Sequence, residues 1–301
     1  MRIYVLGSLN MDLVINTNKI PDNGETITGS GFIANPGGKG ANQAVAASKL
    51  GANVDMIGCV GKEFGLDLRD SLIENNVGTK YLKRILSVSS GIAVITVIDG
   101  DNRIILDSGA NALCNYDHID AAFETAVKGD ILITQLEIDP EVVEYAIKKA
   151  KRINMVTILN PAPAKKLSND VFKYCDYFIP NQSECLYYSN IFPEDESSSL
   201  FCARYFKDLG VKNVLITLGE KGSFYYSDKE KISMKALKSN VVDTTAAGDA
   251  FIGAFAFMIS NNKSIEEAMK FASAAASITV SRKGAQIALP YKNEVQELLK
   301  G

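Results

Sequence analysis

The sequence predicts an α/β fold: a three-layer α/β/α sandwich with a mostly parallel central sheet and a small β-sheet lid, in a single domain over residues 1–301. Three observations lead there. Short apolar or β-branched runs alternate with segments of helical periodicity, the pattern of a parallel sheet covered on both faces. Two further stretches hold strand-like runs with no helix between them, so they are assigned to a sheet that projects from the main layer. No internal repeat, low-complexity segment or linker divides the chain.

The first strand is Ile3 to Leu6, ended by Gly7, and later ones are Val54 to Ile57, Ile131 to Thr134, Val156 to Leu159, Tyr177 to Ile179 and Val214 to Thr217. Helical spacing marks Ala41 to Leu50, Leu66 to Asn75, Glu141 to Lys151, Ser197 to Leu209 and Ile265 to Ser281, and the apolar run Ala250 to Ile259 reads as one more helix. The lid strands come from about residues 13–33 and 91–108. Leu13 to Asn16 pairs with Glu25 to Ile33, and Gly91 to Ile98 with Arg103 to Ser108 across the turn Asp99-Gly-Asp-Asn102.

With 301 residues and 47% hydrophobic content the chain has the means to bury a large core. Its net charge of −3, mixed along the chain, argues against nucleic acid or an anionic membrane as the main partner and for a small molecule. Met1 to Leu6 reads as a strand rather than a signal peptide, and Ala250 to Ile259 is too short to span a bilayer, so the expected location is the cytoplasm. Cys59, Cys114, Cys175, Cys185 and Cys202 are odd in number and form no C-x-x-C pair; buried or incidental thiols are expected, not a disulfide framework or a zinc site. His118 is the only histidine, which leaves little basis for a Ser-His-Asp triad and none for a multi-His metal site. In Asn115-Tyr-Asp-His-Ile-Asp120 it stands at a polar helix start, with a surface structural role.

The segment Asp243-Thr-Thr-Ala-Ala-Gly-Asp249-Ala250, with Phe251 and Gly253 behind it, combines a phosphate cradle with a carboxylate. Small residues at Ala246, Ala247 and Gly248 bare the amides of a helix N-terminus, which attract an anion. Asp249 then lies beside a transferring phosphoryl group, where a general base belongs. Asn10 and Asp12 follow the first strand at the sheet edge where open α/β sheets bind ligands; they either meet vicinal sugar hydroxyls or cap a turn. Asn35-Pro-Gly-Gly-Lys-Gly-Ala-Asn42 is a glycine turn before a helix. It lacks the P-loop spacing and has no strand directly before it; it is either a tight turn or a backbone approach to a polar ligand aided by Lys39 and Asn42. Asn181 and Glu184 have capping-box spacing and are also suited to the water shell of Mg²⁺. Thr217-Leu-Gly-Glu-Lys-Gly222 ends a strand as a hairpin turn or as a platform under a nucleotide.

Six segments in this order, Gly7 to Asp12, Gly37 to Ala46, Gln135 to Glu137, Asn160 to Ala164, Asp243 to Asp249 and Arg282 to Gln286, resemble the signatures of the ribokinase family of PfkB-type sugar kinases, from Gly7 to Pro290. The resemblance implies a ribokinase-like fold and ATP-dependent phosphorylation of ribose at its 5-hydroxyl. It implies that Asn10, Asp12, Gly38, Lys39, Asn42 and Glu137 surround the sugar while Asp249 touches the reacting hydroxyl and Ala246, Ala247 and Gly248 form an anion hole. By the same resemblance Asn181, Thr217, Leu218, Gly219, Glu220, Lys221, Gly222, Gly248 and Ser273 contact ATP, and Asn181 and Glu184 organise Mg²⁺ indirectly. Asp243, Thr245, Thr279, Arg282, Gly284 and Ala288 would enclose K⁺, mostly through carbonyl oxygens. Two positions depart from the family pattern: Ala288 offers only its backbone where Ser is frequent, and Ser273 replaces a larger polar residue near the adenine. The competing expectations are a kinase of the same fold for 2-deoxyribose, fructose or a nucleoside, and a non-catalytic sugar-binding regulator. A nicotinamide-dependent oxidoreductase is disfavoured because G-x-G-x-x-G is absent. Open lid edges predict a homodimer paired through the lid.

Overall fold

A computed structural model of the chain describes residues 1–98 and 101–300. Its strands are β1 (Arg2–Leu6), β2 (Asn10–Asn16), β3 (Ser30–Gly37), β4 (Asn53–Val60), β5 (Gly78–Arg84), β6 (Gly91–Ile98), β7 (Asp101–Asp107), β8 (Ile131–Thr134), β9 (Val156–Leu159), β10 (Tyr177–Phe178), β11 (Asn213–Thr217), β12 (Ser223–Ser227) and β13 (Lys231–Met234). Its helices are α1 (Lys39–Lys49), α2 (Gly65–Glu74), α3 (Tyr116–Phe123), α4 (Pro140–Arg152), α5 (Gln182–Ser189), α6 (Glu196–Asp208), α7 (Ala247–Ser260), α8 (Ile265–Val280) and α9 (Lys292–Leu298).

The larger sheet runs β13-β12-β11-β10-β9-β8-β1-β4-β5. Its strands are parallel from β5 to β11, and β12 and β13 add an antiparallel edge that alternation alone did not reveal. Helices cover both faces, as buried strands demand. On one face α1, α7 and α8 bury Val45, Phe255 and Phe271 against Ile3 and Val5; on the other α3, α4 and α6 bury Ile119, Ile147 and Phe206 against Tyr4 and Leu6. The order reverses at β1, which lies between β4 and β8, so the carboxyl end of β1 opens into a crevice suited to a ligand. Among the described residues no helix is long and apolar enough to cross a membrane.

The smaller sheet runs β3-β2-β6-β7, with β2 and β6 parallel and the outer pairs antiparallel. Two expectations need correction here. Residues 25–29 are not strand, because β3 begins at Ser30, and β3 runs straight into the glycine turn that was expected to have no strand before it. The apolar positions Phe32 and Ile33 lie in that strand, whereas residues 25–29 carry a single apolar side chain, Ile27, and end in Gly29. The centre of the turn expected between β6 and β7, residues 99 and 100, lies outside the described residues. All of β7 is exposed, including Ile105 at 74% relative accessibility, and so are Phe32 and Ile33 on β3.

Candidate active site

The parallel register brings the chain's polar motifs to one edge. Leu6 at the end of β1 is level with Ile57 of β4 and Thr134 of β8, and Thr134 with Leu159 of β9. The segments that follow, Gly7 to Asn10, Gln135 to Glu137 and Asn160, therefore converge on the crevice. Asn10 and Asp12 lie one strand period apart on β2, facing the same side. Gly38 has φ 89°, and a Cβ there would stand 2.7 Å from the Asn10 nitrogen, so only glycine lets the start of α1 approach β2 this closely.

Glu137 ties these segments together. Its Oε2 accepts from the Ser8 hydroxyl at 2.5 Å, the Lys39 N–H at 3.2 Å and Asn10 Nδ2 at 3.4 Å. Asn10 Oδ1 accepts from Asn111 Nδ2 at 2.8 Å, and Asn111 also clasps the backbone of Leu9 in both directions. The Asp12 carboxylate has no hydrogen-bond partner among the described residues and is left to face a ligand. Burial, with repulsion from Glu137 and Asp249, pushes its pKa up to about 7 against the pull of Lys39. Burial works against the Lys39 ammonium, yet Asp249, Glu137, Glu184 and Asp12 together hold its pKa above the ordinary lysine value.

Asp249 enters from the opposite side of the crevice on the first turn of α7. Gly253 permits this, because a Cβ there would lie 2.6 Å from the Ala46 Cβ and 2.8 Å from the Gln43 carbonyl oxygen; α7 can thus press against α1. The two carboxylate oxygens are each held by one amide, Oδ2 by Asn42 at 3.0 Å and Oδ1 by Gln43 at 2.9 Å. Gln43 is itself fixed: its Oε1 accepts from Gln135 at 2.6 Å and its Nε2 also donates to Asn160. Burial raises the Asp249 pKa, while Lys39, Asn42 and Gln43 favour the ionised form. The buried Oδ1 of Asn42 has no partner, an acceptor waiting for a donor from outside the chain.

At the start of α7, Ala246 adopts a left-handed conformation with φ 58°, a strain of roughly 1–2 kcal/mol for a residue with a Cβ. That kink turns the chain into the helix without a side-chain cap. The N–H groups of Gly248 and Asp249 have no partner among the described residues, and a Cβ on Gly248 would meet nothing within 4 Å. Helix α7 therefore presents bare amides to open space, the requirement for an anion.

Next to this turn the loop 242–245 is bound to the end of α8. Val280 O accepts from the N–H of Val242 and of Asp243, while the Asp243 carboxylate accepts from Thr245 N at 2.9 Å and Gly284 N at 3.0 Å. Burial opposes that charge, but these bonds hold the Asp243 pKa below the ordinary value. Thr279, in the last turn of α8, accepts the Arg282 N–H through its carbonyl, Gly284 is the residue bonded to Asp243, and Ala288 closes the 3₁₀ turn Gln286–Ala288 beyond it. Arg282 turns its guanidinium away to pair with Glu294, so it faces the loop with backbone only. One carboxylate among neutral carbonyls is a donor set of the right chemistry for a monovalent cation.

The nucleotide-side residues lie along the same sheet edge. Asn181 bridges to Thr217, and the Leu218 N–H donates to Gly222 O around the 3₁₀ turn Gly219–Lys221, which is both the connection to β12 and an open platform. Lys221 reaches back to the Glu194 carbonyl, Glu220 is exposed, and Ser273 on α8 contacts the Met234 sulfur. Asn181 and Glu184 form the expected capping box at α5. One oxygen of buried Glu184 accepts the Asn181 N–H at 2.8 Å; the other has no partner among the described residues. Burial raises the Glu184 pKa against that bond and Lys39. A carboxylate with one free oxygen at an edge already carrying Asp12, Glu137 and Asp249 suits a hydrated Mg²⁺ brought in with phosphates.

Sequence reasoning did not assign roles to Ser8, Gln43, Asn111, Gln135 or Asn160. Gln43 was the most accessible of these, a polar residue amid alanines on a buried helix.

A buried carboxylate beside a bare helix N-terminus, at a sheet edge lined by hydroxyl-binding amides, defines a phosphotransferase acting on an alcohol. Residues 1–292 match the pfkB family of carbohydrate kinases, and the chain belongs to that family. A ribokinase of Schizosaccharomyces pombe is 40% identical over 98% of this chain and 96% of its own length. A deoxyribokinase of Salmonella typhi is 36% identical over 99% of each chain. The solved ribokinase of Arabidopsis thaliana in complex with ribose and ATP superposes with a TM-score of 0.92 at 30% identity, covering 100% of this chain and 99% of that one.

Proposed function

We propose that the chain transfers the terminal phosphoryl group of ATP to the 5-hydroxyl of D-ribose, giving ribose 5-phosphate and ADP. The observation that carries this reading is the placement of Asp249. Its carboxylate is buried, bonded by two amides that with Lys39 favour its charged form against burial, and next to the unpartnered N–H groups of α7. Asn10, Asp12, Gly38, Lys39, Asn42 and Glu137 make up a pocket whose free acceptors, Asp12 and Asn42 Oδ1, match sugar hydroxyls.

In this reading Asp249 accepts the 5-hydroxyl proton as the oxygen attacks phosphorus. In the expected anion hole Ala246 to Gly248 the Ala247 N–H is taken by the Thr244 carbonyl, so the unpartnered amides of Gly248 and Asp249 face the charge that spreads over the transferring oxygens. The β3-β2-β6-β7 sheet covers the sugar and keeps out water, which would otherwise compete as the nucleophile. Asn181, Thr217 to Gly222 and Ser273 hold the nucleotide. Mg²⁺ bound with ATP, its water shell held by Glu184 and Asn181, supplies charge neutralisation that the carboxylates here cannot. K⁺ held by Asp243, Thr245, Thr279, Arg282, Gly284 and Ala288 supplies a fixed positive charge that orients the neighbouring amides. The exposed apolar residues of β3 and β7 and the open strand edges support a homodimer paired through this sheet. Five free, buried cysteines support a reducing, cytoplasmic setting.

ADP release measured over ribose, 2-deoxyribose, fructose and adenosine tests the assignment. Ribose should have the highest kcat/KM; a preference for 2-deoxyribose would move the chain to the deoxyribokinase reading, and turnover of none would refute the sugar-kinase assignment.

A further inference from the structure

Cys59 and the nearby pair Cys114 and His118, more than fifty positions on, bring two sulfurs and an imidazole nitrogen within 4.8 Å of one another. Cys59 is near the end of β4, Cys114 follows the 3₁₀ turn Gly109–Leu113, and His118 lies in the first turn of α3. The set has the ligand types of a soft-metal site, but the second ring nitrogen argues otherwise. A metal-bound imidazole donates its other N–H to an acceptor. Here Nδ1 instead accepts the Asn115 N–H at 3.0 Å, as half of the capping box of α3. Nδ1 thus holds the lone pair, Nε2 carries the proton, and Nε2 faces the Cys59 sulfur at 3.8 Å. The Cys114 thiol lies within 4.8 Å of the same sulfur. Its interaction with Cys59, against burial and with help from Lys83, holds Cys59 below the ordinary thiol value and, with burial, pushes Cys114 up.

We propose that Cys59 and Cys114 form an oxidation site, with Cys59, the sulfur beside the imidazole, reacting with hydrogen peroxide, Cys114 its resolving thiol, and their disulfide a device that loosens the sugar pocket. The Cys59 sulfur attacks one peroxide oxygen; the S–O bond forms, the O–O bond breaks, and the departing hydroxide takes a proton to become water. The Cys114 sulfur then attacks the sulfenic acid, the S–S bond forms, and the S–O bond breaks. The released hydroxide leaves as water with the Cys114 proton. Two thiols are oxidised and one peroxide is reduced to two waters. Peroxide is little larger than water, and the half-buried ring is the member of the cluster that reaches solvent.

The link to the pocket is short. Cys114 immediately follows the turn that contains Asn111, and its N–H donates to the Asn111 carbonyl at 3.4 Å. Asn111 in turn holds Asn10 and Leu9. Drawing Cys114 onto Cys59 to a bond length of about 2.0 Å shifts this turn. The chain contains its own control: Cys185 and Cys202 are a second fully buried pair, joined through the Ser189 hydroxyl, with no imidazole beside them.

The test uses the reduced full-length protein, titrated with peroxide, alkylated and peptide-mapped, with kinetics on the same samples. A disulfide joining Cys59 to Cys114 should form at lower peroxide than one joining Cys185 to Cys202. The KM for ribose should rise about five- to tenfold, the effect of losing one hydrogen bond to the sugar-binding amide. The KM for ATP should hold, and dithiothreitol should reverse the change. Cys114→Ser should leave the reduced enzyme active and trap Cys59 as a dimedone-reactive sulfenic acid, and His118→Gln should slow the oxidation. The proposal fails if Cys185 and Cys202 react first, if the disulfide is absent, or if it forms without changing the KM for ribose. It also fails if Zn²⁺ binds stoichiometrically and protects both thiols, which would make the cluster a metal site. The KM expectation rests on the ribose reading above, which the reduced enzyme's own turnover tests separately; the peptide map does not depend on it.

Discussion

Asp12→Asn should make the ligand-free protein more stable at pH 8 while weakening its hold on the sugar. In the folded chain the Asp12 carboxyl keeps its proton to about 7 because it is buried and faces Glu137 and Asp249, whereas its ordinary value is 3.8. As the pH rises from about 4 towards 7 the unfolded chain ionises first and gains on the folded one, so stability is lost across that window and the penalty is complete above it. A difference of this size has a ceiling of roughly 4 kcal/mol. The amide has nearly the same shape and no charge to bury, so the variant should recover most of that energy at pH 8 and little below about pH 4, where both chains carry a neutral group. Urea unfolding of the two proteins at pH 4 and pH 8 reads the difference directly. The same substitution replaces a charged acceptor of sugar hydroxyls by a neutral one, and the KM for ribose should rise about tenfold or more. If the variant were no more stable at pH 8, or gained equally at both pH values, the cost of burying the Asp12 charge beside Glu137 and Asp249 would not be the force acting on it.

Asp249→Asn should lower kcat by roughly 10²–10⁴ through loss of the base. It should also cost about 1–3 kcal/mol of stability, because Asn42 and Gln43 each donate to one carboxylate oxygen and the new N–H must face one of them; a variant keeping more than about half of wild-type kcat would exclude Asp249 as the base. Asn10→Leu should hurt ribose more than 2-deoxyribose by about 1–3 kcal/mol in kcat/KM, since the orphaned Asn111 and Glu137 affect both sugars alike; equal losses would place Asn10 away from the 2-hydroxyl. Replacing choline chloride by KCl at constant ionic strength should raise kcat with little effect on either KM, and NaCl should substitute poorly for the larger ion; a flat response would remove the cation site.

Much of the site was legible because its residues sit at positions that local chemistry marks. Asp249 stands behind small residues that open a helix, Asn181 and Glu184 have capping-box spacing, and Asn10 and Asp12 share a face by strand periodicity. The antiparallel edge of β12 and β13 was less legible, since Tyr225 and Tyr226 sit in a run whose pattern also suits a turn and whose burial depends on neighbours elsewhere in the chain. Strand β3 was shifted for a similar reason. It ends in Asn35-Pro-Gly, residues that ordinarily end strands, and pairing with β2 overrides that local preference as far as Gly37.

The bonds that hold the Asp249 carboxylate were hidden for a more general reason. Gln43 and Asp249 are 206 positions apart, and Gln135 is 92 positions from Gln43. A buried amide in an alanine-rich helix reads locally as an interruption of the apolar face. Its meaning depends on α7 lying close enough to α1, which in turn depends on Gly253. Once that contact exists, Gln135 donates to Gln43 Oε1 and so decides which end of the Gln43 amide faces the carboxylate. Asp249 then receives an N–H rather than a second oxygen, which favours its charged form against the burial that raises its pKa. The cysteine cluster follows the same logic: spacing in the chain separates Cys59 on β4 from Cys114 and from His118 on α3, and the packing of α3 against β4 brings them together.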